Sequence, residues 1–278
     1  MCVKQAAPPG VVVIQYMQYE PFREMALIEG GIGVKLFLTS FSGGFGKVNG
    51  QRVPCEFNRA NGFFDLLKEK LPPVIRCLMI ASDPLGYERN DEVASNLKGG
   101  FALDGFKAER VDICDNRSMA LVERLHEYNL VFLTGGHVPT QNKFFNKINL
   151  KLHLQNYDGV IIGMSAGSMN CADIVYAQPE DEGEAINPGY DRYLNGLCLT
   201  SINVLPHFEI LRDSTLDGLR VLEDICLPDS IARPFYGIPD GTFIYIEDGQ
   251  TTLFGEAFYF EGGNFTKICE NGCSLKIA

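Results

Sequence analysis

Acyl transfer needs a serine, a base and an acid, and one serine of this chain sits where attack is feasible. Ser165 is the centre of Gly163-Met164-Ser165-Ala166-Gly167, directly after the apolar run Gly159-Val160-Ile161-Ile162. A buried strand running into G-x-S-x-G, with Ser168 to Tyr176 expected to be helical, is the context of a nucleophile elbow. On such a tight turn the hydroxyl is exposed, and flanking glycines keep side chains clear of the turn and of substrate. An ordinary strand-to-helix turn uses the same residue types, so the pentapeptide is read together with its partners.

A serine hydroxyl is a poor nucleophile until a base takes its proton, and histidine is the usual base near neutral pH. Of the four histidines, His126 and His153 read as residues of polar helix faces. His137 follows Gly135-Gly136 at the end of a parallel strand, where ligands bind in such sheets, and is expected to be a substrate-binding or structural residue. Gln141, just beyond it, is grouped with it as a substrate-binding candidate. His207, in Asn203-Val204-Leu205-Pro206-His207-Phe208, ends a strand after a rigid proline and is the expected base.

The base in turn needs an acid to fix its tautomer. The acidic loop Gln178-Pro179-Glu180-Asp181-Glu182-Gly183-Glu184 and Asp240 in Gly237-Ile238-Pro239-Asp240-Gly241 compete for this role, and spacing leaves both open. Donors for a developing oxyanion are expected from Ala166 N–H, next to the serine, and from Gly135-Gly136, where glycine permits close backbone approach.

These residues must be positioned by alternating elements. Strands are expected at Val34–Ser40, Val74–Ala81, Ala108–Cys114, Leu130–Leu133 and Gly159–Gly163. Helices are expected at Gly62–Leu71, Asp91–Phe106, Ser118–Tyr128 (with Ser118 as N-cap) and Thr140–Leu154. Short apolar strands separated by helices imply a parallel sheet covered on both faces. After Tyr176 the pattern changes. A long polar loop over 177–196 precedes a strand at Leu197–Leu205, a helix at Arg212–Leu227, and strands at Tyr236–Ile238, Thr242–Glu247 and Thr251–Phe260. The expectation is one α/β domain over 34–278, doubly wound and mostly parallel, with antiparallel strands at its C-terminal end. Residues 1–33, with Pro8-Pro9-Gly10 and Gly30-Gly31-Ile32-Gly33, read as an extension.

Composition narrows the class. The 278 residues are 46% hydrophobic and 21% charged, ordinary for a globular protein. A net charge of −11 argues against nucleic-acid or anionic-membrane partners. Nine cysteines, an odd number without a C-x-x-C pair, read as buried thiols of a reducing, cytoplasmic compartment. No metal or cofactor is expected, and no run is long enough to cross a membrane as a helix.

Taken together, Leu133-Thr134-Gly135-Gly136, the serine pentapeptide, Leu205-Pro206-His207-Phe208, and Gly237-Ile238-Pro239-Asp240-Gly241 followed by Asp248-Gly249-Gln250 resemble the dipeptidase E (aspartyl dipeptidase) family of serine peptidases. That family is itself similar to cyanophycinase and to the class I glutamine amidotransferase-like fold. The resemblance spans most of 34–256. It implies a flavodoxin-like doubly wound sheet, serine chemistry without metal, and small peptide substrates. It carries the nucleophile to Ser165, the base to His207 and the oxyanion donors to Gly136 and Ala166. For the acid, Glu180 aligns best in the loop after the nucleophile helix, and Asp240 is the runner-up at a position where the family usually has glutamate.

Two departures bear on specificity. The family's Gly-Gly-Asn-Thr is here Gly135-Gly136-His137-Val138-Pro139-Thr140, and the loop from Tyr176 to Asn195 is more acidic. An N-terminal aspartate in the substrate would need a cation, for which Arg192, Arg212 and Arg233 are candidates. The acidic loop could instead hold the substrate's α-ammonium group. The resulting expectation is a dipeptidase-like exopeptidase, for which a homodimer is an allowed assembly. Its alternatives are an esterase or amidase on the same site, or a catalytically silent binding protein of this fold.

Overall fold

The computed structural model describes residues 35–277, so the expectations for residues 1–33 lie outside it. An eight-stranded sheet forms the centre, in the spatial order Ser274–Ile277, Gln250–Phe254, Phe243–Glu247, Lys35–Thr39, Val160–Met164, Leu130–Leu133, Val74–Ile80, Lys107–Cys114. The last five run parallel, and the first three join them antiparallel. The parallel strands are continuous apolar runs because both faces are covered: Leu130, Val131, Phe132 and Leu133 are all buried. One face packs on Phe63, Leu67, Leu97 and Phe101 of the helices Phe63–Lys70 and Tyr87–Leu103. The other packs on Phe144, Phe145, Leu150 and Leu154 of the helices Val138–Lys147 and Leu150–Leu154. Each such side chain contributes about 1.5–3 kcal/mol on burial.

The winding creates a crevice. From Val74–Ile80 the chain moves out to the edge strand Lys107–Cys114, then returns to Leu130–Leu133 on the opposite side of its starting strand. At such a switch point the two loops beyond the strand ends diverge and leave room for a ligand. Ser82 and Gly135-Gly136 lie there.

A second, four-stranded sheet has the order Val204–Pro206, Phe235–Ile238, Ala257–Glu261, Asn264–Cys269. Its first two strands are parallel, with Pro206 opposite Ile238. Tyr176, Phe208, Phe235 and Phe260 form its core, with Phe235 stacked on both Tyr176 and Phe260.

Several expected elements differ. The helix after Ser165 is a single turn, Ala166–Met169, and Ile174–Tyr176 is a short strand paired with Tyr193–Asn195. β-Branched Ile174 and Val175 suit that pairing better than a helix. The expected helix Thr140–Leu154 breaks at Asn149, whose φ is 50°. The expected strand Leu197–Leu205 shrinks to Val204–Pro206. In place of a helix over Arg212–Leu227, Asp217 and Gly218 (φ 54° and 79°) turn a small hairpin before an irregular helical segment. The segment Thr251–Phe260 is two strands in different sheets, separated at Gly255 with φ 103°. Ser118 makes no side-chain cap on the segment after it. The hairpin Gly43–Val48 and Gln51–Phe57 was not expected, although Asn49-Gly50, both at positive φ, is its sequence signal.

Candidate active site

Ser165 has φ 52° and ψ −118°, a conformation that an L-residue holds only at a cost of about 1–3 kcal/mol. The surrounding backbone enforces it. Ser165 N–H donates to Thr39 O at 2.9 Å, and the Ser165 carbonyl accepts from Ser168 N–H at 2.8 Å. Ser168 Oγ accepts from Thr39 N–H and donates to Thr39 O, both at 2.8 Å. Both elbow glycines are required by packing. A Cβ at Gly163 would lie 2.7 Å from Ser168 Cα, and one at Gly167 would lie 2.7 Å from the Leu133 carbonyl carbon. The pentapeptide is therefore a tight strand-to-helix turn, with Ser165 directly beyond the strand Val160–Met164.

His207 and Asp240 come from the second sheet, just beyond the C-terminal ends of its two parallel strands. The register that sets Pro206 opposite Ile238 brings their side chains together, and His207 Nδ1 meets Asp240 Oδ1 at 2.8 Å. His207 itself sits at φ 55°. A carboxylate only accepts, so Nδ1 carries the proton and Nε2 is left as the basic nitrogen. Burial of the ring opposes its charged form, but the Asp240 hydrogen bond and charge, with Glu209 and Glu180, outweigh it and raise the pKa. Burial likewise opposes the Asp240 carboxylate, but the hydrogen bonds from His207 and Ser40 prevail and lower its pKa.

Ser40 was not found from sequence. It lies one residue beyond the strand Lys35–Thr39, and its Oγ donates to Asp240 Oδ1 at 2.5 Å while accepting the His207 backbone N–H at 2.9 Å. A serine after an apolar strand has no distinguishing signal until the second sheet is placed against it.

Glu180, the better-aligned acid, takes a different place. The hydrogen-bonded carboxylate at His207 is Asp240, whereas Glu180 lines a cavity of about 300 Å³ with Gly136, Ser165, Met169, Leu205 and His207. It is open to solvent on one side. Burial on the others, then the charges of Glu184 and Asp181, push its carboxyl up to about 7, against the pull of His207.

His137 and Gln141 were expected at the substrate, and neither lines this cavity or its larger neighbour. His137 Nε2 meets Glu184 Oε1 at 2.9 Å, and its Nδ1 meets Thr140 Oγ1 at 2.8 Å. Glu184 Oε2 then accepts the backbone N–H groups of Glu180 and Asp181 at 3.0 and 3.1 Å. His137 thus anchors the acidic loop that presents Glu180. Gln141 is fully buried, donating to Thr134 O at 2.6 Å and accepting from Asn170 Nδ2 at 3.0 Å. It ties the Gly135-Gly136 turn to the elbow. Arg192, Arg212 and Arg233 line neither cavity, and Arg192 pairs with Asp229 at 3.2 Å.

The larger cavity, about 410 Å³, lies at the switch-point crevice and shares Gly136, Ser165 and His207 with the smaller. Gly135 approaches the serine closely: a Cβ there would lie 3.2 Å from Ser165 Cβ. A Cβ at Gly136 would lie 2.6 Å from Ser82 Cβ, so that position also excludes side chains.

A strained serine on a tight strand-to-helix turn, a histidine fixed by an aspartate, and a doubly wound α/β sheet are an arrangement found in serine hydrolases. Within that class the chain belongs to peptidase family S51, the dipeptidase E family, whose model matches residues 84–254, and it is a serine peptidase. None of the curated proteins matches it. Among solved structures it is similar to a Listeria monocytogenes EGD-e protein provisionally described as peptidase E. That likeness has 16% identity and a TM-score of 0.49, covering 85% of this chain and 100% of that one.

Proposed function

We propose that this peptidase is a dipeptidase-like exopeptidase acting on short peptides through an acyl-enzyme. Ser165 Oγ attacks the scissile carbonyl carbon as His207 Nε2 takes its proton. Asp240 keeps the proton on Nδ1 and stabilises the imidazolium, and Ser40 holds Asp240 in place. The N–H groups of Gly136 and Ala166 receive the oxyanion. His207 then gives its proton to the leaving amine. Water attacks the acyl-enzyme with His207 as base again, and Ser165 is regenerated.

The observation that carries this reading is the 2.8 Å His207–Asp240 contact, with His207 and the strained Ser165 lining the same cavities. Glu180 is the group we assign to the substrate's α-ammonium. A carboxylate in the wall of a cavity of about 300 Å³ favours a free amino terminus beside the acyl residue. The size of both cavities, at the small end of the range of about 300–1,000 Å³ for small-molecule sites, fits a peptide of a few residues. The test is a library of free dipeptides, followed by mass spectrometry, with Ser165→Ala alongside. Release of amino acids by the wild type and not by the variant supports the reading. Cleavage confined to long or N-blocked peptides overturns it.

A further inference from the structure

The two cavities that meet at Ser165 carry opposite charge. The smaller has Glu180 as its carboxylate. The larger has Lys47, Arg52 and Arg89 in its wall and no aspartate or glutamate among its described lining residues. This is unexpected for a chain with 35 acidic against 24 basic residues. Two of the three cations come from the hairpin Gly43–Val48/Gln51–Phe57, which precedes the segment matched by the family model. Arg89 comes from the first turn of the helix Tyr87–Leu103.

The three are not equivalent. Arg52 donates to Glu92 at 2.8 Å, and this ion pair joins the hairpin to the helix. Its charge is already answered by Glu92. Lys47 and Arg89 are exposed, and neither has a carboxylate partner among the ion pairs of the described residues. The rest of the wall is apolar or neutral, including Phe41, Phe45, Met79 and Val93.

We propose that the larger cavity is a carboxylate-reading subsite, in which Lys47 and Arg89 hold the free C-terminal carboxylate of a short peptide whose scissile bond lies at Ser165. This rests on the exopeptidase reading and deepens it. With Glu180 in one cavity and Lys47 and Arg89 in the other, the site selects a zwitterion. Charges at both ends limit how much chain can lie on either side of the scissile bond.

The experiment is equilibrium binding to Ser165→Ala of Ala-Leu, Asp-Leu and the C-terminal amide of each. Binding to Ser165→Ala carrying Lys47→Gln and Arg89→Gln is measured in parallel, and turnover of the same peptides is measured with the otherwise wild-type chain. The expected result is that both free acids bind about tenfold more tightly than their amides, and that the triple variant loses the preference while binding the amides unchanged. Exposed charges are screened, so a larger factor is not expected. Equal binding of acid and amide overturns the subsite. So does a preference that follows the aspartyl side chain rather than the terminal carboxylate, and so does no binding of any of the four. A carboxylate preference without hydrolysis by the wild type supports the subsite and removes the exopeptidase reading, so the two fail separately.

Discussion

Ser40 and Asp240 are separated by 200 positions and joined by one hydrogen bond: Ser40 Oγ donates at 2.5 Å to the same carboxylate oxygen that meets His207 Nδ1. The bond couples the central sheet, which carries Ser165, to the second sheet, which carries His207 and Asp240. Ser40 also accepts the His207 backbone N–H, so one hydroxyl fixes both partners across the interface. Ser40→Ala is expected to lower kcat about tenfold and to cost about 1–2 kcal/mol of stability, since a half-buried N–H loses its acceptor. Steady-state kinetics beside urea unfolding checks both, and Ser40→Thr, which keeps the hydroxyl, should restore part of the loss.

The pH profile follows from His207. As the proposed base it works when neutral, and its pKa is raised by Asp240, Glu209 and Glu180 against the effect of burial. The acid limb of kcat/KM should therefore fall above the ordinary histidine value of about 6.5. Asp240→Asn removes the main raising influence, so the limb should move to lower pH while kcat falls about 10²–10⁴-fold from the lost tautomer control. A kcat/KM profile from pH 5 to 9 reads both effects.

Burial on its cavity side and the charges of Glu184 and Asp181 push the Glu180 carboxyl up to about 7. If it holds the α-ammonium, KM for a free dipeptide should rise as pH falls below about 7 and Glu180 becomes neutral. An N-acetylated substrate should show no such rise. Glu180→Gln should raise KM for the free dipeptide about tenfold and flatten this dependence. It should leave the rate with the N-acetylated substrate unchanged in its pH-independent plateau.

The elbow glycines give a stability prediction. Gly163→Ala and Gly167→Ala each force a methyl against backbone, so each should destabilise the fold by about 1–3 kcal/mol or more. Gly189→Ala meets only the Asn187 side chain at an ordinary contact distance and should change stability by less than about 0.5 kcal/mol. Chemical denaturation of the three variants makes the comparison.

The parallel half of the sheet was readable because its strands are buried on both faces, and continuous runs such as Leu130–Leu133 leave few alternatives. The glycine spacing around Ser165 was readable for a related reason: Gly163 and Gly167 are dictated by close backbone contacts. The region after Tyr176 was less legible. Its elements are short and held by tertiary pairing, as Ile174–Tyr176 is by Tyr193–Asn195, and its breaks depend on single positive-φ residues such as Asp217 and Gly255. Glu180 and Asp240 both stood as candidate acids. Which one meets His207 depends on the register of Val204–Pro206 against Phe235–Ile238, a long-range relationship with no local trace. Gln141 was misplaced for the same kind of reason, since its partners Thr134 and Asn170 are brought to it only by the fold.

The most direct test of the Ser165–His207–Asp240 assignment is labelling with a fluorophosphonate, read by intact mass, on wild type, Ser165→Ala, His207→Ala and Asp240→Asn. A single adduct is predicted on the wild type, absent from Ser165→Ala and formed at least about a hundredfold more slowly in His207→Ala and Asp240→Asn. No adduct on folded wild type, or an adduct that persists in Ser165→Ala, would contradict it.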